Sequence, residues 1–217
     1  MVNELVERHR GGKAGGFGIH YLPEHRPNQW ITVKVERAAQ QWIRAVRDGR
    51  GIALGIYRDP RDVAASLMEF RKNQAALGYA KHRDGSFGDV LEDICDAMEW
   101  WKAWEKLVTY AIAYETASKN WPAAVVSMAM ALGIKIDGAE AIDIATNWCV
   151  QRNEERCAGM DVWMGGKRTM LTRGHIGKNR GMIGRWQHEL TDEQVRLVEQ
   201  IAGREWMVKH GYRLLDS

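Results

Sequence analysis

Seven consecutive uncharged residues, Gly51-Ile52-Ala53-Leu54-Gly55-Ile56-Tyr57, run without a spacer into Arg58-Asp59-Pro60-Arg61-Asp62. A short apolar run closed at once by charges is the pattern of a strand buried on both faces of a parallel sheet. Pro60 then suits the first turn of a helix, where the amide it lacks would have no partner in any case. The unit is strand, tight turn, helix. It constrains the fold strongly, because a parallel strand reaches its neighbour only through a crossover, and helices supply it.

The rest of the chain repeats this alternation. Leu107-Val108-Thr109-Tyr110-Ala111-Ile112-Ala113 is a second uncharged run, ending in Tyr114-Glu115, and Trp30-Ile31-Thr32-Val33-Lys34-Val35 is a third strand candidate rich in β-branched residues. Helices are expected over residues 3–9, from about Arg37 to Arg47, and from Phe87 to Leu107, where Val90, Ile94, Met98 or Ala97, Trp101 and Trp104 recur at helical spacing. A further helix spans Pro122 to Leu132 and is stopped by Gly133. Thr191 and Gln194 form a capping box that opens a last helix with the stripe Val195, Val198, Ile201 and Ala202. The expectation is an α/β fold, a parallel sheet flanked by helices, in a single domain over 1–217. An N-terminal helix and flexible loop fill about residues 1–29, and the sheet-helix core follows from residue 30. Ligands of such sheets bind outside the carboxyl ends of the strands. The turn after Val35, the turn after Tyr57 and the pair Tyr114-Glu115 are therefore the candidate sites.

Composition enters mainly by exclusion. The longest stretch without charge, Asn120 to Ile134, contains Pro122 and falls short of the roughly 20 apolar residues that a membrane span needs. The start, MVNELVERHR, lacks the apolar centre of a secretory signal. Three cysteines, Cys95, Cys149 and Cys157, without a CxxC spacing, fit a reducing cytoplasm. No Cys/His cluster has metal-ligand spacing, and His20 and His25 do not make one. The glycine-rich run Gly11 to Gly16 fails as a Walker-type phosphate loop: a polar helix precedes it where a buried strand is needed, and Ala14 follows Lys13 where Ser or Thr is needed. It is read as a mobile loop.

With 31 basic and 28 acidic residues, the net charge of +3 is too small to imply nucleic acid. Its distribution is uneven, however. Between Asp161 and Glu189 no acidic residue interrupts Lys167, Arg168, Arg173, Lys178, Arg180 and Arg185. Unless it is simply a solvated loop, such a segment attracts an anion.

Three motifs then carry a resemblance. YRDPRDVAASLMEF at 57–70 resembles the 3′-phosphate-binding motif of the sulfotransferases that use 3′-phosphoadenosine 5′-phosphosulfate (PAPS). GKNRGMIGRWQHELT at 177–191 resembles their C-terminal basic, glycine-containing loop. AYE at 113–115 is similar to the family's strand ending in Tyr-Glu-Asp. The order and spacing agree over about residues 30–212. The resemblance implies a P-loop nucleoside-triphosphate-hydrolase-like sulfotransferase fold and PAPS as co-substrate. It also implies release of adenosine 3′,5′-bisphosphate (PAP), a small-molecule or carbohydrate acceptor, and no metal. The basic residues are then explained by the nucleotide, without nucleic acid or membrane as partner. No acceptor and no oligomeric state is legible.

Residue by residue, the resemblance gives the 3′-phosphate to Arg58 and Ser66, and the chemistry agrees. A guanidinium at a strand end forks onto phosphate, and a hydroxyl on the following helix can donate to the same group. The alternative is structural: Arg58 caps the sheet through Asp62, and Ser66 packs the helix. Arg180 and Gly181 match the Lys-Gly of the family's Arg-Lys-Gly loop, and Asn179 stands where an arginine is usual, with Lys178 or His175 to supply charge. Tyr114 matches the adenine-contacting tyrosine. The family's Lys-Thr-His, whose histidine is the catalytic base, corresponds to Lys34-Val35-Glu36, at the end of WITVKVE and 22 residues before Arg58. Glu36 is thus the expected base, Lys34 a stabiliser of charge, and His20 the competing base. A carboxylate with an ordinary pKa of about 4.3 is ionised at neutral pH and able to take a proton.

One family element is not matched: the N-terminal strand and loop of Pro-Lys-Ser-Gly-Thr-Thr-Trp type that binds the 5′-phosphosulfate. Residues 1–9 look like the helix that follows it, so an N-terminally truncated domain is expected. Two functions remain open: a PAPS-dependent sulfotransferase, or an inactive sulfotransferase-like protein that binds a nucleotide 3′-phosphate or serves as an interaction domain.

Overall fold

A computed structural model of the chain describes residues 1–10, 13–14, 31–32, 40–76, 86–158 and 180–217, with 13–14, 31–32 and 74–76 described by their backbone alone. In chain order the elements are α1 (Val2–Arg10), β1 (Lys13–Ala14), β2 (Ile31–Thr32), α2 (Gln40–Arg47), β3 (Leu54–Tyr57), α3 (Pro60–Ala76), α4 (Phe87–Trp104), β4 (Tyr110–Ala113), α5 (Tyr114–Ala117), α6 (Trp121–Ala131), α7 (Gly138–Asn147), α8 (Val150–Cys157), α9 (Trp186–Glu189), α10 (Asp192–Ala202) and α11 (Arg204–Lys209). They gather into two compact units, one from Met1–Tyr57 and Trp101–Arg173, the other from Arg58–Trp100 and Gly174–Ser217.

In the first unit, β3 and β4 pair in parallel from Leu54↔Tyr110 to Tyr57↔Ala113, as their uncharged sequences predict. Both strands are shorter than expected. Gly51 and Ile52 lie exposed ahead of β3, and Leu107 and Val108 are still in the turn that leaves α4. Burial of β3 on both faces is also corrected, because Ile56 is 55% exposed. The physical reason is local: side chains alternate across a strand, and the neighbouring core reaches Leu54 but not Ile56, two residues further on the same face. On the opposite face, Gly55 leaves room for the Trp101 indole, which stacks obliquely on Tyr57 with ring centres 5.3 Å apart. The reading of Gly11 to Gly16 as a loop throughout is corrected as well. Lys13–Ala14 is a short strand, parallel to Ile31–Thr32.

The core of this unit is built by Leu5 and Val6 of α1, Val125 and Ala129 of α6, and Ala141 and Ile144 of α7. Complete burial of a leucine or valine side chain such as Leu5 or Val6 is worth about 1.5–3 kcal/mol, so α1 is fastened by its apolar face. Polar contacts fix its ends. Trp148 Nε1 donates to Glu4 at 2.6 Å, and Arg10 donates to the carbonyls of Leu132 and Gly133, which α6 leaves without a helical partner. Asn120 caps the start of α6 by accepting from the Ala123 amide, and Gly133, at φ +66°, ends it where the sequence places the stop.

The second unit packs α3 and α4 with the C-terminal helices around Ala64, Val90, Ile94, Met98, Val198, Ala202, Met207 and Leu214. Of the predicted stripes, Val90, Ile94 and Met98 of α4 and Val198 and Ala202 of α10 lie in this core, and Ile201 packs against it half-buried. The capping box is complete: the Gln194 amide donates to Thr191 Oγ1 at 3.3 Å, and the Thr191 amide to Gln194 Oε1 at 2.9 Å. Among the described residues, no helix is long and apolar enough to cross a membrane.

Candidate anion-binding site

The segment Arg58 to Asp62 sends its charged side chains two ways. Asp59 and Arg61 turn inward. Asp59 Oδ1 accepts from both the Arg61 amide and Arg61 Nε at 2.9 Å, and Asp59 Oδ2 accepts from Nη2 at 2.7 Å. The other end of the guanidinium, Nη1, reaches Glu199 at 2.9 Å and the Arg213 carbonyl at 2.8 Å. All three charged groups are buried. Burial works against the Arg61 charge, but Asp59 and Glu199 outweigh it and hold the guanidinium above its ordinary range.

Arg58 and Asp62 turn instead to the loop ahead of α9. Arg58 Nη2 donates to the Met182 carbonyl at 2.5 Å, lies 3.4 Å from the Gly181 carbonyl, and is 3.5 Å from Asp62 Oδ2. Asp62 accepts the Gly184 amide at 2.8 Å and the Trp186 amide at 3.2 Å. The loop is shaped for this by left-handed residues: Arg180 at φ 47°, Gly181 at 76° and Gly184 at 77°. Two of the three are glycine, which adopts that region without steric cost. Ser66 is half-buried on α3, four residues beyond Asp62 and so on the same helical face. The structure therefore brings Arg58, Asp62, Arg180 and Gly181 to one corner, with Ser66 one turn along. It also realises the Arg58–Asp62 pair that sequence offered as the structural alternative.

Not all of the basic segment serves that corner. Arg185 is buried, donates to Glu189 at 2.9 and 2.6 Å and to Glu69 at 2.8 Å, and spends its charge inside the protein. Tyr114 opens α5 directly after β4, half-buried, with its ring edge-on to Trp121 at 6.0 Å. Lys34, Glu36, His20, Lys178 and Asn179 lie outside the described residues. Among the described residues, no cluster of His, Cys, Asp and Glu is arranged to hold a metal. Sequence reasoning missed the Asp59–Arg61–Glu199 cluster. Its only signal was the second Arg-Asp pairing within RDPRD, which names no distant partner.

The sequence profile described as the sulfotransferase domain matches residues 53–211, most of the chain. The chain belongs to the sulfotransferase domain family. Two solved structures extend this to the fold of the family. Against mouse sulfotransferase SULT7A1 complexed with PAP, the sulfotransferase domain aligns with a TM-score of 0.69 at 17% identity, over 95% of this chain and 78% of that one. Against retinol dehydratase in complex with androsterone and the inactive cofactor PAP, the TM-score is 0.59 at 19% identity, over 91% of this chain. The domain spans 58% of the length of that retinol dehydratase. No curated protein matches it.

Proposed function

We propose that this sulfotransferase domain transfers a sulfuryl group from PAPS to a hydroxyl or amine of a small-molecule or carbohydrate acceptor and releases PAP. The observation that carries the reading is the corner itself: Arg58 at the carboxyl end of β3, Ser66 on the following helix, and the Arg180-Gly181 turn against Arg58. In this reading Arg58, Ser66, Arg180 and Gly181, with Lys178 and Asn179, hold the nucleotide 3′-phosphate, and Tyr114 contacts adenine.

Glu36 takes the acceptor proton, the acceptor oxygen or nitrogen forms a bond to sulfur, and the bond from sulfur to the 5′-phosphate oxygen breaks. The electron pair leaves with PAP. Lys34 offsets charge on the departing group, which is where electrostatic help counts most. Glu36→Gln then abolishes transfer while PAP binding stays, whereas His20→Ala leaves the rate intact; the reverse pattern makes His20 the base.

The deciding experiment for the nucleotide is calorimetric titration with PAP. A charged hydrogen bond contributes about 1.5–3 kcal/mol, so Arg58→Ala weakens binding by about tenfold or more, and Ser66→Ala by less. If both variants bind PAP as the parent does, the site is wrong.

A further inference from the structure

Asp62 is completely buried, and no nucleotide contact falls to it in the reading above. Burying a carboxylate is unfavourable unless donors replace the water it loses. Here they do. Oδ2 accepts the Gly184 amide at 2.8 Å and faces Arg58 Nη2 at 3.5 Å, while Oδ1 accepts the Trp186 amide at 3.2 Å. Two of these donors are backbone groups of a loop 122 and 124 residues away in sequence. That loop returns a contact to the arginine, through the Met182 carbonyl at 2.5 Å. Arg58, Asp62 and the loop thus form a closed circuit around one guanidinium, two sides hydrogen-bonded and the third an ion pair.

We propose that Asp62 is a positioning residue, whose buried carboxylate locks Arg58 and the loop Met182–Trp186 into a phosphate-ready corner before any nucleotide arrives. A free arginine side chain loses rotamer freedom on binding. One already held has less to lose, and its affinity gain is confined to ligands that reach it. Asp62 therefore sets the preference for a nucleotide that bears a 3′-phosphate, without touching it. The inference rests on the sulfotransferase reading above.

The test compares PAP with adenosine 5′-monophosphate, which lacks the 3′-phosphate, by calorimetry on the full chain. The parent prefers PAP; if it does not, the nucleotide reading falls and this inference with it. Given that preference, Asp62→Asn keeps affinity for adenosine 5′-monophosphate and lowers the PAP preference by about tenfold. Adding Asp62→Asn to Arg58→Ala lowers it no further, because the effect runs through Arg58. An unchanged preference in Asp62→Asn, an equal loss for both nucleotides, or an additive loss in the double variant overturns the proposal while leaving the nucleotide reading intact. Should Asp62→Asn fail to fold, hydrogen exchange on the parent chain decides. The Gly184 and Trp186 amides exchange slowly without nucleotide, and fast exchange that slows only on adding PAP overturns the inference.

Discussion

The Arg61 guanidinium lies 4.0 Å from the centre of the Trp186 ring, stacked over it while its nitrogens bind Asp59, Glu199 and the Arg213 carbonyl. Every polar edge of this arginine is thus occupied, and its flat face is covered by an aromatic. Removing it takes the guanidinium from two buried carboxylates at once, leaving Asp59 with the backbone amide of residue 61 and Glu199 with the Leu215 amide and Arg204. Breaking one side of a buried pair costs about 3–5 kcal/mol, and Arg61→Ala is expected to lose that much in urea unfolding. The exposed pair Arg196–Asp216 is the control: Arg196→Ala leaves the urea midpoint where it was. Equal shifts in the two variants would show that burial plays no part.

Gly55 is expected to reject even one methyl group. An alanine Cβ there would stand 3.1 Å from Cη2 and Cζ3 of Trp101 and 3.3 Å from Val108 Cγ1. A rigid indole already stacked on Tyr57 has little room to yield. Overpacking of this kind costs about 1–3 kcal/mol, against a gain of about 0.4–1 kcal/mol from a stiffer unfolded chain. Gly55→Ala should therefore lower stability and change the near-ultraviolet circular dichroism of tryptophan. An unaltered spectrum with an unaltered midpoint would refute the close packing.

Tyr57 gives the pH dependence. Burial, and then the negative charges of Glu115 and Glu105, push its phenol above the ordinary tyrosine range. The folded chain therefore holds that proton more tightly than the unfolded chain. The resulting stability is complete below the unfolded pKa of about 10, and is lost as pH rises through the higher folded value. From about pH 9 to about pH 11, the urea midpoint of the parent should fall more steeply than that of Tyr57→Phe. Parallel curves would mean that the phenol titrates alike in both states.

What the sequence made legible was local. The strand-turn-helix at Leu54 to Ala76, the stripe Val90, Ile94 and Met98, the stop at Gly133 and the capping box at Thr191 are each encoded within a few residues, by periodicity or by a cap. Strand ends were overrun because an uncharged residue such as Ile52 or Leu107 signals apolar character but not where pairing stops. The corner was half legible. Arg58, Arg180 and Gly181 came from motifs, whereas the bonds from Gly184 and Trp186 to Asp62 involve backbone amides that every residue but proline carries, so no side-chain pattern announces them. Arg185 shows the opposite failure. It counted as part of an anion-seeking run, and only proximity to Glu69 and Glu189 shows its charge already spent.

The loop that completes the corner also dates it within the life of the chain. Arg58 and Asp62 are synthesised early, but Met182, Gly184 and Trp186 leave the ribosome 122 to 124 residues later, and Glu199 follows 138 residues after Arg61. Until then Asp62 and Arg61 have no distant partners, and a nascent chain holds α3 without the loop contacts of Arg58 and Asp62. Contacts of such long separation close slowly. The corner is thus a late contact between distant parts of the chain, and a ribosome-bound chain halted before residue 180 carries Arg58 and Asp62 without the loop that joins them.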